Sequence, residues 1–244
     1  MPVRMPRHWV RWLIGAVAAV VVLAVGGTAI YIHFFNGSAP AALSLSATPT
    51  SSTSSGATTG GGTSSTTTSG SVAGTWAVGT GSTVGYRVQE VLLGQSTTAV
   101  GRTQSVTGHL TIQGTTVTAA TFSVPMKTVV SDKSQRNAQF DGRIMDVASY
   151  PTGTFALTKP ISLGTVPAVG KIKSYTAIGN LTLHGQTRSV TFTLNAEHTA
   201  STIEVQGSIP VLFSNWGISN PSIGGFVTTQ NHGLLEFLLV SRKG

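Results

Sequence analysis

Residues 175–194 read YTAIGNLTLHGQTRSVTFTL, and the fold turns on how they alternate. Tyr175, Ala177, Gly179, Leu181 and Leu183 occupy every second position. Side chains of a strand point to opposite faces in turn, so this period marks a half-buried β-strand. His184-Gly185 then turns the chain, and Val190, Phe192 and Leu194 alternate with Thr191 and Thr193. Two long alternating runs around a short turn predict a hairpin.

The same texture extends in both directions. Val84, Tyr86 and Val88 share one face, with Thr83, Arg87 and Gln89 on the other. Val106, Gly108, Leu110 and Ile112 form a second set, and Gln113-Gly114 signals a turn before Phe122, Val124 and Met126. Phe155 and Leu157 pair on one face. Ile203, Val205, Gly207, Ile209 and Val211 continue the pattern, and Leu234 to Val240 closes the chain. About eight strands result, several longer than the usual five or six residues. That predicts one all-β, antiparallel, tilted and closed barrel over 75–244. Glycines 85, 108, 179 and 207 sit inside strand patterns, where they permit coiling or bulges.

One stretch interrupts the pattern: SDKSQRNAQFDGRIMDVASYPTGTF, residues 131–155. Ser131 reads as a helix N-cap beside Asp132, Gly142 as the stop, and Pro151 as the entry to an extended segment over Thr154–Thr158. A short helical insertion covering one barrel end is expected.

The N-terminal third is of another kind. Trp12 to Ile32 is an uncharged apolar run of membrane-spanning length, with Arg4, Arg7 and Arg11 before it. Trp9 and Trp12 at one end, and Tyr31, Phe34 and Phe35 at the other, suit interfacial anchoring. Residues 1–35 are therefore expected to be a single-pass signal anchor, N-terminus cytoplasmic and barrel extracytoplasmic; cleavage would instead give a secreted form. Residues 36–74 are Ser/Thr/Gly-rich without a charged residue, too poor in apolar surface to offset ordering entropy, and are expected to be a disordered linker.

Composition excludes several functions. With no Cys there is no thiolate nucleophile, disulfide framework or zinc–cysteine site. The net charge of +8 comes partly from the three N-terminal arginines, and the other basic residues are scattered singly, without a nucleic-acid-binding stripe. The motifs G-x-S-x-G, H-E-x-x-H and G-x-x-x-x-G-K are absent. His109, His184, His198 and His232 lack metal-ligand spacing, and His184 reads as a turn residue. Asp141 and Asp146 read as helix-end charges or as partners of Arg136 and Arg143. No catalytic residue, metal or cofactor is expected. Tyr86, Phe122, Phe155, Phe192 and Phe237 fall on apolar faces, whereas Trp216 and Phe226 sit among turn formers, where they are expected to close a barrel end or touch a ligand.

Val78 to Arg242 resembles the YceI-like family. The match rests on Val84-Gly85-Tyr86-Arg87-Val88, Val106-Thr107-Gly108, Arg136-Asn137, Tyr150-Pro151-Thr152-Gly153-Thr154-Phe155 and the run from Gly179 to Arg188, continued by Val190-Thr191. The resemblance implies a lipocalin-like barrel that binds a polyisoprenoid lipid. Asn137 and Gln139 stand where the family often has Asp and His, and Asp141 where many members are basic. On this reading the ligand is an isoprenoid lipid or a quinone-like amphiphile, walled by Tyr86, Phe122, Phe155, Leu181, Leu183 and Phe192. Arg136, Gln139 and Asn215 are expected at the mouth. The alternative is a solid, ligand-free surface module for adhesion or partner binding.

Overall fold

The computed structural model describes residues 39–45 and 71–244. The expected anchor over 12–32 and most of the expected linker lie outside these residues. Among the described residues no helix is long and apolar enough to cross a membrane.

The expected antiparallel barrel is present, and its strand count becomes clear from the pairing. β1 (Gly74–Val78) and β2 (Thr83–Leu92) are halves of one bent strand, as are β3 (Gln95–Thr103) and β4 (Thr107–Gln113). β2 pairs with β3, and β1 with β4. β5 (Thr116–Pro125), β7 (Thr152–Leu157), β9 (Lys173–Leu183), β10 (Gln186–His198), β11 (Thr202–Leu212) and β13 (His232–Lys243) follow in neighbour order. β13 pairs with both β1 and β2 and closes the ring. With each bent pair counted once, the barrel has eight staves. Short strands β6 (Val130–Ser131), β8 (Ile161–Ser162) and β12 (Val227–Thr229) pair with β3, β5 and β2.

The hairpin quoted above forms in full register, from Gln186 opposite Leu183 to Ala196 opposite Lys173. His184 and Gly185 both take positive φ, 46° and 71°, as a two-residue turn matched to strand twist requires. The His184 ring packs edge-on against Tyr150 and its Nδ1 lies 3.1 Å from the Trp216 carbonyl oxygen, so this histidine holds a turn.

The insertion is helical, but its boundaries differ from the expectation. Helix α1 spans Ser134–Gln139, with Lys133 at its N-cap position and no side-chain capping bond. Ser131 is not the cap. It lies in β6, and its N–H and hydroxyl both donate to Asn137 Oδ1, at 2.8 and 2.9 Å. Gly142 does not stop the helix either: Phe140–Ile144 continue it as a wider π turn, which ends where Asp146 turns to φ 41°. β7 begins at Thr152, directly after Pro151.

This segment fills a gap left by the topology. β4 is flanked by β5, but on the same edge its continuation β3 is met only by the two residues of β6. The chain from β5 to β7 closes the barrel where β3 and β5 part.

Candidate functional site

The barrel is hollow. Its lumen is a cavity of about 620 Å³, within the size range of small-molecule sites. The period-two pattern accounts for it, because every alternating set named from the sequence turns its apolar members to the same interior.

Six residues expected in the wall all line this cavity: Tyr86, Phe122, Phe155, Leu181, Leu183 and Phe192. The phenylalanines form a continuous belt. Phe122 and Phe155 stack at 6.4 Å, and Phe155–Phe192 and Phe192–Phe237 meet edge-on at 5.5 and 5.7 Å. Glycines leave room for such rings without filling the lumen. Tyr86 lies across Gly101, its cross-strand partner, where a Cβ would sit 2.3 Å from the ring. Phe237 lies across Gly207, opposite it on β11, where the distance would be 2.6 Å. An alanine at either glycine would push a ring into the cavity.

Two mouth residues, Arg136 and Gln139, line the lid end of the cavity. Asn215 does not. It is exposed in the short 3-10 turn after β11, outside the lumen, and its carbonyl accepts from Arg188 Nε. The turn directs Phe213 and Trp216 inward instead, so Asn215 is left on the outer side. Trp216 is buried behind the wall, with Nε1 3.5 Å from the Leu181 carbonyl oxygen, while Phe226 is 65% exposed. The alternation missed Phe140, the buried aromatic of the insertion, which stacks on Tyr86 at 5.2 Å and lines the cavity from above. Its signal was available: it is the one aromatic between Ser131 and Tyr150.

Polar groups sit at the two ends of this apolar tube. At the lid, Arg136 bridges Asp132 at 2.5 Å and Glu90 at 3.1 Å. Arg143 donates to Gln139 Oε1 and to the Pro221 carbonyl, both at 2.9 Å. Asp141 pairs with Lys127 at 2.6 Å, not with either arginine, because the π turn faces it toward the 3-10 turn Met126–Thr128. Burial pushes the Tyr86 phenol up to about 12, opposed by the nearby Arg136 charge and a hydrogen bond with Ser131. The phenol is thus a neutral donor at the inner face of the lid. At the other end, Lys171, Tyr175, Glu197 and His198 reach the lumen. Burial, reinforced by Glu204 opposite on β11, holds the Glu197 carboxyl above its ordinary range.

A hollow eight-stave barrel, an apolar lumen and an insertion between the third and fourth staves can be compared with known proteins. A family model described as a YceI-like domain matches residues 76–239, well over half of the chain. The chain belongs to the YceI-like family. Among solved structures, a polyisoprenoid-binding domain from Saccharophagus degradans, implicated in plant cell wall breakdown, superposes with TM-score 0.57 at 15% identity. That match covers 70% of this chain and 99% of the other. Burkholderia cenocepacia BcnA superposes with TM-score 0.50 at 18% identity, covering 68% and 95%. At such identities the likeness is one of fold. No curated protein matches the chain.

Proposed function

We propose that this YceI-like barrel is an extracytoplasmic, membrane-anchored lipid-binding protein that holds the chain of an isoprenoid lipid or quinone-like amphiphile in its lumen. The observation that carries the reading is the cavity, apolar along its length and polar only at its ends. The polyisoprenoid-binding neighbour is consistent with it. Burial contributes about 0.8 kcal/mol per CH2, so fifteen prenyl carbons contribute roughly 12 kcal/mol before costs. Association costs about 4–15 kcal/mol, so a chain of that length offsets most of this range and a longer prenyl chain offsets all of it, without any chemical step. Catalysis is not part of the proposal. The hollow lumen weighs against the solid, ligand-free alternative.

Entry and exit are assigned to the lid. Helix α1 buries none of its residues, lacks a side-chain cap and has six residues, too few for helical stability of its own. It is held by ion pairs and by the chain that follows it, which buries Phe140 against Tyr86 and Met145 and Val147 in the core. Arg136, Gln139 and the Tyr86 hydroxyl line the cavity at this end and meet a headgroup by exchanging their present partners for it.

Native mass spectrometry of the gently solubilised full chain tests this. A reproducible bound mass in the lipid range, lost on delipidation and restored by added prenyl lipid, is expected. A protein that stays empty, with a melting temperature indifferent to prenyl lipids, would rule the container out.

A further inference from the structure

Residues 36–74 read as a free linker, yet Ala39–Leu45 are placed against the barrel. Their partner is an unusual group of charges on the outer wall. Glu236 alternates with the inward Leu235 and Phe237, so its side chain faces away from the lumen, yet it is 5% exposed. Two arginines from adjacent strands cover it. Arg87 Nε on β2 donates to Glu236 Oε1 at 2.7 Å, and Arg102 Nη2 on β3 lies 3.3 Å from Oε2. Each arginine also donates to the linker, Arg87 to the Pro40 carbonyl at 2.7 Å and Arg102 to the Ala41 carbonyl.

We propose that residues 39–45 are a clip, an apolar peptide bound in cis on an outer-wall site built from Arg87, Arg102 and Glu236. Two consecutive carbonyls meet two arginines held in fixed positions by one buried carboxylate, so the site reads the backbone of the chain that lies on it. Pro40 stiffens the segment at the point of contact, lowering the entropy lost on docking. Residues 46–70 tether the clip to the barrel at an effective concentration on the order of millimolar, so an individually weak contact is enough in cis.

The clip sets where the N-terminal part leaves the barrel. Taken with the N-terminal anchor, on whose reading this step rests, only His33 to Ser38 separate the apolar run from the docked segment. Six residues reach at most about 20 Å, whereas a free chain from His33 to Gly74 has a contour of roughly 140 Å. The barrel is then held close to the bilayer with its β2–β13 wall at the tether, and residues 46–70 add nothing to the reach.

The chain has no cysteine, so introduced pairs label cleanly. Spin labels on Ala42→Cys and Ser96→Cys, both exposed positions, in the full chain in nanodiscs should give one narrow distance distribution. Replacing residues 39–45 by alternating Gly and Ser around the labelled position 42 should broaden it while the barrel's melting temperature stays unchanged. A wild-type clip with a distribution as broad as that of the replacement overturns the docking. Energy transfer from a dye on Ser96→Cys alone to acceptor headgroups should fall at least twofold in the replacement. A narrow spin-label distance with unchanged energy transfer would overturn the spacing role. Lipid loading, measured in parallel, bears only on the cavity.

Discussion

The two ends of the barrel are closed by different physics. At the end away from the lid, Trp76, Leu110, Ile112, Ala120, Ile203 and Val72 form a buried apolar cluster of their own. The loop between β8 and β9 is pinned over it. Lys173 Nζ donates to the Leu163 and Thr165 carbonyls at 2.8 and 3.3 Å, and Gly170 N–H donates to the His198 carbonyl. His198 Nε2 in turn lies 2.8 Å from the Pro167 carbonyl oxygen. At the lid end, the six-residue helix buries no side chain and is held by ion pairs, whereas the chain that follows it is anchored in the main core by Phe140, Met145 and Val147. Apolar closure is permanent because opening it exposes area to water. The polar contacts of helix α1 exchange one set of hydrogen bonds for another, so the helix opens at low cost while Phe140, Met145 and Val147 stay packed.

The largest effect should come from breaking the permanent end. Trp76 is 4% exposed and its Nε1 donates to the Val72 carbonyl at 2.8 Å. Trp76→Ala should cost about 3–5 kcal/mol in denaturant unfolding. A loss below about 1 kcal/mol would mean that this end is no more firmly closed than the lid.

Filling the tube between the ends comes next. Leu183 is buried and lines the lumen. Leu183→Trp should abolish most prenyl-lipid uptake in a fluorescence displacement assay and leave the melt nearly unchanged, since the added ring enters empty space. In a solid core the same change would instead overpack and destabilise by about 1–3 kcal/mol. Full uptake by a folded variant would place the ligand elsewhere.

The barrel was legible in the sequence because its walls obey a period of two. Tyr175 to Leu183 and Val190 to Leu194 point inward as their spacing says. The bent strands were less legible, since nothing local reveals that β1 and β2 share β13 as a neighbour. The insertion was legible as helical but not in its boundaries. Ser131 reads as a cap by local chemistry, and pairing of β6 with β3, a tertiary contact, takes it away. Asn215 was misplaced for a related reason: in a 3-10 turn no period tells inside from outside. The order at Ala39–Leu45 was hidden because its partners, Arg87 and Arg102, are dozens of positions away.

The tyrosines at the two ends are both shifted by burial. Burial raises both Tyr86 at the lid and Tyr175 at the far end, the former to about 12. A tyrosine ionises near 10 in an unfolded chain. Between pH 10 and 12 the folded protein therefore holds a proton at Tyr86 that the unfolded chain has lost. The stability from Tyr86 is fully present below pH 10 and falls as pH rises toward 12. Tyr86→Phe should flatten that fall in denaturant melts at pH 9 to 11.5, with little change at neutral pH. An equally steep fall in the variant would mean that Tyr86 is already open to solvent.

The smallest effect on stability should accompany an informative effect on rate. Arg136 ties α1 to Asp132 on the lid and to Glu90 on β2, and is 23% exposed itself. Ion pairs this close to solvent contribute about 0–1 kcal/mol, so Arg136→Gln should barely move the melting temperature. If those pairs are what keeps the lid down, the variant should release a preloaded fluorescent prenyl analogue several-fold faster. A far-end counterpart, Lys173→Gln, loosens the pinned loop and should leave release unchanged, because the apolar cluster beneath remains. Faster release from Lys173→Gln than from Arg136→Gln would reverse the assignment of the two ends. Release equal to wild type in both would show that the ion pairs do not limit exit, leaving the apolar packing of Phe140, Met145 and Val147 as what does.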